Sequence, residues 1–294
     1  MTFIHDLSEE TREELRERFH EDPRSVLEVP EQECERLQEE LVDFYRQHLE
    51  ETPMEGYALG LSGGVDSATV AYLLTEAVGP SNVTAVLLPA DHTPEEDVED
   101  AVAVAEELGL ETNDYERFRS EVDDVVDTLA ELGRPVEEGQ QVKRGNILAR
   151  CRMTVLRDIA KADEALVAGT TNASERFLGY TTLAADGLGG VDNEGLFALF
   201  KTTVRDLATY LGVPDRIVEK TPRADLWEGQ SDADEIGFSY TVLDQVLAGL
   251  RLGLDLEAVA ECVEGIDLAG VEQVRKRVER YRFKNRPGPH PSFS

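Results

Sequence analysis

Eight consecutive residues, Gly60, Leu61, Ser62, Gly63, Gly64, Val65, Asp66 and Ser67, carry the clearest chemistry in the chain. They lie between a short apolar run that begins at Tyr57 and a helix-forming run from Ser67 to Val78. A strand-to-helix turn of this kind aims backbone N–H groups and the positive end of a helix at an anion. Glycine lets the backbone approach a phosphate closely, and Ser62 and Ser67 add hydroxyl donors. Asp66 is the odd member. A carboxylate beside phosphates repels them unless a cation lies between, and Mg²⁺ takes oxygens from both. The loop lacks the lysine of GxxxxGK followed by Ser or Thr, and it is not GxGxxG, so neither common phosphate-loop signature applies.

Such a loop needs strands feeding helices, and the patterning supplies them. Ser8 precedes the helical segment EETREELRERF, and Pro30 precedes a second helix with Leu37, Leu41 and Phe44 on one face. The Thr52-Pro53 step breaks the chain. YALGLSGG, VTAVLLPA and EALVAGT read as buried strands, with a weaker one around Glu111 to Glu116. PEEDVEDAVAVAEELG, whose acidic first turn suits the helix dipole, and NILARCRMTVLRDIAKA read as helices. Strands alternating with helices predict a parallel sheet covered on both faces, and right-handed crossovers make it a doubly wound α/β fold. After Thr170 the chain is loop-rich, and open parallel sheets bind ligands at the carboxyl ends of their strands. TTVRDLATYLGV, closed by Gly212 and Pro214, YTVLDQVLAGLRLG and LAGVEQVRKRVERYRF are further helices, and the Pro-rich tail reads as irregular. No linker divides residues 1–294, so one domain with an N-terminal helical segment over residues 1–50 is expected.

Composition restricts the partners. Asp plus Glu number 61 against 29 Lys plus Arg, a net charge of −32. Such a surface repels nucleic acids and anionic membranes. The acids are dispersed, and the basic residues comprise 6 Lys and 23 Arg, a pattern that suits a protein adapted to high salt, with an ordinary acidic cytosolic protein as the alternative. Cys34, Cys151 and Cys262 are widely spaced and odd in number, so they read as small core residues rather than a disulfide framework. The N-terminus has no basic and apolar signal pattern, and no stretch approaches a membrane span. A cytoplasmic enzyme fits these features.

The pattern SGGxDS after a strand resembles the loop of the PP-loop ATP pyrophosphatases, which split ATP between its α and β phosphates. Further stretches narrow the likeness. GLSGGVDSATVAYL, KRGNILARCRM, VAGTTNASERFLGY, FKTTVRDLATYLGVP and ADLWEGQSDADEIGFSYTVLDQVL resemble, in order, those of the NAD synthetases across most of residues 32–290. The resemblance implies adenylation of the carboxylate of nicotinic acid adenine dinucleotide by ATP, loss of pyrophosphate, and attack by ammonia to give NAD and AMP. No fused glutaminase segment is visible, so the ammonia-dependent form is expected, as a homodimer with its substrate site at the subunit interface. The resemblance places ATP on Gly60 to Ser67, Thr170, Lys201 and Arg223. It places Mg²⁺ on Asp66 and Glu175, and the dinucleotide on Arg150, Asp192 and Lys284. Asp66 and Lys201 become the catalytic pair, the lysine meeting charge on the departing pyrophosphate.

Three positions depart from the family pattern. Leu183 stands where an acceptor-binding Lys is usual, Arg223 where a small residue, commonly Thr, contacts ATP, and Phe283 where His precedes Lys284. Two extra residues lie in the GLGGVD segment, and Arg176 and Lys220 are candidate replacement cations. These departures keep two alternatives in play: a PP-loop ligase or amidotransferase acting on another acceptor, and a nucleotide-binding relative without catalysis.

Overall fold

The structure, a computed structural model, describes residues 8–134, 139–187 and 189–285. The expectations for the extreme N-terminus and for the tail beyond Asn285 lie outside those residues. Strands β1 (Gly56–Gly60), β2 (Val83–Val86), β3 (Glu111–Thr112), β4 (Ala165–Gly169) and β5 (Asn193–Glu194) form one sheet in the order β3-β2-β1-β4-β5. Every pairing is parallel, with Tyr57 opposite Val83 on one side and Leu166 on the other. The doubly wound fold expected from the alternation is therefore the one observed. The chain winds outward from β1 through β2 to β3, then returns to place β4 on β1's other edge. That reversal makes a switch point between β1 and β4.

Alternate side chains of the central strands serve opposite cores, as the pleat requires. Tyr57, Leu59, Ala85 and Leu166 join helices α2 (Glu31–Glu50), α3 (Val65–Val78) and α8 (Lys201–Leu211) in one buried cluster. Ala58, Val86 and Val167 face the other way, onto Leu156 and Ala160 of α6 (Gln140–Ala162). Burying each leucine or valine among them stabilises by about 1.5–3 kcal/mol, so both faces contribute. Helices α4 (Glu95–Leu108) and α5 (Tyr115–Leu132) complete the flanks.

A third core is wholly helical. It joins α1 (Glu9–Glu21), α7 (Ala173–Leu178), α11 (Tyr240–Leu252), α12 (Leu256–Cys262) and α13 (Leu268–Tyr281) through Leu15, Phe19, Leu243, Val246, Val259 and Val271. The short helices α9 (Asp215–Val218) and α10 (Asp232–Ile236) lie in the connections. The two N-terminal helices thus separate: α2 packs on the sheet, and α1 packs on the helical core.

Local readings hold where the signal is local. Ser8 accepts from Thr11 N at 3.1 Å and caps α1, and Gly212 ends α8 in the left-handed conformation. Others need correction. The buried face of α2 runs through Cys34, Leu37, Leu41 and Tyr45, while Phe44 is 41% exposed. Tyr45 takes the inward position because it continues the i, i+4 row of Leu37 and Leu41, where its ring meets the Tyr57 ring edge-on at 5.7 Å. β3 is only two residues long, because Asp114 caps α5 and draws Tyr115 and Glu116 into the helix. α5 itself has a buried face of Val122, Val126 and Ala130 at intervals of four, diluted by acids. The segment after Thr170 holds α7 and β5 rather than loop alone. Cys34 is buried, whereas Cys151 and Cys262 are only half-buried, and all three thiols are free.

Candidate active site

At the switch point the loops after β1 and β4 diverge and open a cleft of about 580 Å³. Gly60, Leu61, Ser62, Gly64, Val65, Asp66 and Ser67 line it, with Thr170 at the end of β4. Gly64 caps α3 without a side chain, so no side chain occupies the first-turn N–H groups. The two serines brace the turn: Ser62 Oγ and Ser67 Oγ are 3.1 Å apart, and Ser67 Oγ donates to Gly64 O at 3.0 Å. Gly63 does not line the cleft. It has φ of 75°, and a Cβ there would stand 2.1 Å from Asp97 O, so only glycine fits.

Beside the loop lies a compact charged centre. The Lys201 ammonium is bonded to Asp66 Oδ2 and donates to Glu175 Oε1 at 3.2 Å. Its side chain is 5% exposed, against 16% for Asp66 and 18% for Glu175. Asn172 Nδ2 donates to Asp66 Oδ1 at 3.0 Å. The same asparagine caps α7, accepting from Glu175 N at 3.1 Å, while Glu175 Oε2 accepts from Asn172 N at 3.4 Å. This capping box fixes Glu175 at the start of its helix. Burial pushes the Glu175 carboxyl up to about 8, with Lys201 opposing and Asp66 and Asp232 assisting. Burial alone would lower the Lys201 pKa, but the facing Asp66 and Glu175 outweigh it and hold the ammonium above its usual range. The arrangement keeps a permanent cation where a phosphate would meet the carboxyl groups of Asp66 and Glu175.

Further cations stand beside the loop, against the start of α4. Lys220 Nζ donates to Asp97 Oδ1 at 2.7 Å and to Gly63 O at 3.1 Å, and it also pairs with Asp100. Arg223 Nε donates to Asp97 Oδ2 at 3.0 Å. Both cations line the cleft, and their partners come from the acidic start of α4. Arg223 therefore faces the cleft while anchored to Asp97, where the resemblance leads one to expect a small residue.

The residues expected to hold the acceptor divide. Lys284 lines the cleft, donates to Gly179 O at 2.8 Å and Thr181 O at 2.6 Å, and lies over the Tyr281 ring. Arg150 is exposed, does not line the cleft, and donates to the carbonyls of Leu183 and Asn146. Asp192 lies outside the lining as well. It pairs with Arg157 at 2.6 Å and accepts from Val167 N at 2.7 Å, extending the edge of the sheet. Arg176 is buried between the Phe177 and Phe197 rings, away from the lining, whereas Lys220 is within it. Leu183 is half-buried and Phe283 is 60% exposed.

The sequence reading left one wall unassigned. Tyr180, Trp227, Gln230, Asp232 and Glu235 line the cleft. Gln230 Nε2 donates to Glu235 Oε1 at 2.6 Å, and Tyr180 OH donates to the same oxygen at 3.0 Å. Tyr240 OH donates to Asp232 Oδ2 at 3.1 Å, while Asp232 Oδ1 is buried without a hydrogen-bond partner. The run of acids at Asp232, Asp234 and Glu235 after Gln230 was the available signal. No group of three or more His, Cys, Asp or Glu suited to a metal occurs among the described residues. Asp66 and Glu175 are two oxygen donors, the number Mg²⁺ takes from protein when phosphates and water supply the rest.

Comparison with known proteins gives a consistent picture. The NAD synthase family matches residues 37–288. An NH3-dependent NAD+ synthetase of Archaeoglobus fulgidus is 42% identical over 256 residues, covering 87% of this chain and 96% of that one. One from Methanococcoides burtonii is 41% identical over 259 residues, covering 86% and 93%. Among solved structures, an NMN synthetase from Francisella tularensis aligns with a TM-score of 0.73 at 29% identity, covering 88% of this chain and 99% of that one. An NH3-dependent NAD synthetase from Campylobacter jejuni, in complex with nitrate, aligns with a TM-score of 0.72 at 27% identity over the same shares.

Proposed function

The chain belongs to the NAD synthase family, and within it we propose an ammonia-dependent NAD synthetase that uses ATP to activate nicotinic acid adenine dinucleotide. The observation that carries this reading is the meeting of the Gly60–Ser67 loop, Asp66, Glu175 and Lys201 at the switch point of the sheet. The nicotinate carboxylate attacks the α-phosphorus of ATP, and the bond to the β-phosphate bridging oxygen breaks. Negative charge grows on the departing pyrophosphate, and the Lys201 ammonium, held in place before substrate arrives, meets it. Ammonia then attacks the acyl carbon, AMP leaves with the bonding electrons, and one proton passes to solvent. The acceptor wall of Tyr180, Gln230, Asp232 and Glu235 offers hydroxyl, amide and carboxylate groups suited to sugar hydroxyls.

Asp66 and Glu175 fit Mg²⁺, since the cleft gives them no other partner cation than Lys201 among the described residues and a second cation would let Glu175 ionise. When bound, the ion neutralises phosphate charge beside Asp66.

A second copy of the chain fits the outer face of α5 and α6. Val125, Leu129, Leu132 and Val142 are exposed there, and Val142 also lines the cleft. A homodimer through this face would complete the open acceptor side, and sedimentation of Leu129→Asp as a monomer tests it. No helix among the described residues is long and apolar enough to cross a membrane, and the proposed setting is a salt-rich cytoplasm, in keeping with the charge of −32.

The test is direct. Purified protein given ATP, Mg²⁺, ammonia and the dinucleotide forms NAD and AMP in equal amounts, faster as KCl rises. No turnover at any salt concentration rejects the reading. A second reading changes only the acceptor. A relative of this fold is described as an NMN synthetase, and Leu183 puts a half-buried apolar side chain at the expected acceptor lysine. A higher kcat/KM for the mononucleotide than for the dinucleotide would establish it.

A further inference from the structure

Glu175 and Lys201 reach the cleft from the first turns of two different helices, α7 and α8. α8 begins after Phe200, which has no side-chain acceptor, so its first N–H groups need partners from elsewhere. Those partners come from across the fold. Lys201 N donates to Ser174 Oγ at 2.9 Å, and Thr202 N donates to Asp244 Oδ2 at 2.9 Å. Thr202 Oγ1 donates to that same oxygen at 3.0 Å, and Ser174 Oγ donates to Asp244 Oδ1 at 2.5 Å. Asp244 is 0% exposed, sits on α11 in the helical core, and does not line the cleft. A carboxylate buried this deeply persists only with its acceptors filled, and here three donors fill them.

We propose that Asp244 is a positioning residue of the adenylating centre: it ties the starts of α7 and α8 together, and so sets Glu175 and Lys201 against Asp66. The proposal rests on the NAD synthetase reading above. The bonds form one circuit. Asp244 holds Ser174, Ser174 holds the backbone of Lys201, and Ser174 is the chain neighbour of Glu175. The circuit closes where the Glu175 carboxyl group and the Lys201 ammonium meet. Phe200 supplies no cap of its own, so without Asp244 the start of α8 can slide against α7. The reacting groups tolerate little of this, since a shift of about 1 Å can cost about 100-fold in rate.

Asp244→Asn keeps the size of the side chain but turns an amide NH₂ toward one of its donors. Its kcat is expected to fall about 10- to 100-fold, with KM for the dinucleotide within about twofold of wild type. Leu252→Ala supplies the comparison, because Leu252 is equally buried on the same helix and its apolar side chain offers no hydrogen bond to this network. It lowers Tm yet keeps its kcat where it is folded. A kcat for Asp244→Asn within about twofold of wild type, or a loss that disappears at equal folded fraction with Leu252→Ala, overturns the proposal. Should Asp244→Asn fail to fold, Ser174→Ala removes one arm of the circuit: a reduced kcat supports the proposal, and an unchanged one overturns it. Should the wild type itself not convert the dinucleotide, the functional reading fails on its own. Asp244 is then judged by MgATP titration of Trp227, the sole tryptophan, which lines the cleft. Binding several-fold weaker in Asp244→Asn supports the positioning role, and equal binding overturns it.

Discussion

The two walls of the cleft are built differently. On the nucleotide wall, Asp66, Glu175 and Lys201 stand on the first turns of three helices and hold one another through charged hydrogen bonds. On the wall proposed for the acceptor, Lys284 donates to the backbone carbonyls of Gly179 and Thr181 and lies over the Tyr281 ring, while Arg150 bonds loop and helix carbonyls and Asp192 pairs with Arg157. A helix start fixes a side chain through local geometry, so its function survives in short motifs. A loop wall is set by whatever packs behind it, and an insertion of two residues can redirect several side chains at once. The proposed nucleotide wall is therefore cross-linked by its own side chains, whereas the proposed acceptor wall rests on loop backbone.

This contrast can be broken in order of expected size. Lys201→Ala should cost about 100- to 1000-fold in kcat, the usual loss for a preorganised group facing developing charge, with little change in KM for the dinucleotide. A rate within tenfold of wild type would show that the nucleotide wall does not act through Lys201. Lys284→Ala should have the reverse signature, raising KM for the dinucleotide about tenfold, the worth of one charged hydrogen bond, while kcat and the KM for ATP hold. Equal effects on both substrates would merge the two walls.

A smaller effect follows from protons. Glu175 holds its proton up to about 8, against 4.5 for an exposed glutamate, so the folded state binds that proton more tightly than the unfolded chain. Through this group the metal-free protein loses stability as pH rises from about 4.5 to about 8. Cation binding needs the carboxylate, so Mg²⁺ with ATP should release protons below about 8 and bind more tightly as pH approaches that value. Calorimetry in buffers of different ionisation enthalpy reads this, and Glu175→Gln should abolish the proton release. The smallest effect belongs to Asp192→Asn. Its pair with Arg157 is about a third exposed and contributes about 0–1 kcal/mol, so a slight fall in Tm with unchanged KM is expected. A large rise in KM would return Asp192 to the acceptor wall.

The same division explains what the sequence disclosed. β1, β2 and β4 are short apolar runs bounded by glycine or loop residues, and the phosphate loop follows from types and spacing within eight positions. α5 was hidden because only Val122, Val126 and Ala130 mark its buried face among many acids. Tyr45 and Phe44 are both near the row of Leu37 and Leu41, and the residue that turns inward is the one whose ring meets Tyr57, on a strand twelve residues away. The Gln230 to Glu235 wall depends on Tyr180 and Tyr240 arriving from separate parts of the chain. Asp244 is a further case, an acid inside an apolar helix whose meaning lies wholly in its distant donors.

The distribution of lysine has a practical consequence. Of six lysines, Lys201, Lys220 and Lys284 line the cleft, and Lys143 is tied to the carbonyls of Ala130 and Arg134. Lys161 and Lys276 are the exposed pair. Amine-selective reagents therefore find few competing lysine targets on this surface. Among the lysines, acylation is expected first at the two outward sites on α6 and α13, and protection of Lys201, Lys220 and Lys284 by added MgATP would mark them as lining an occupied cleft.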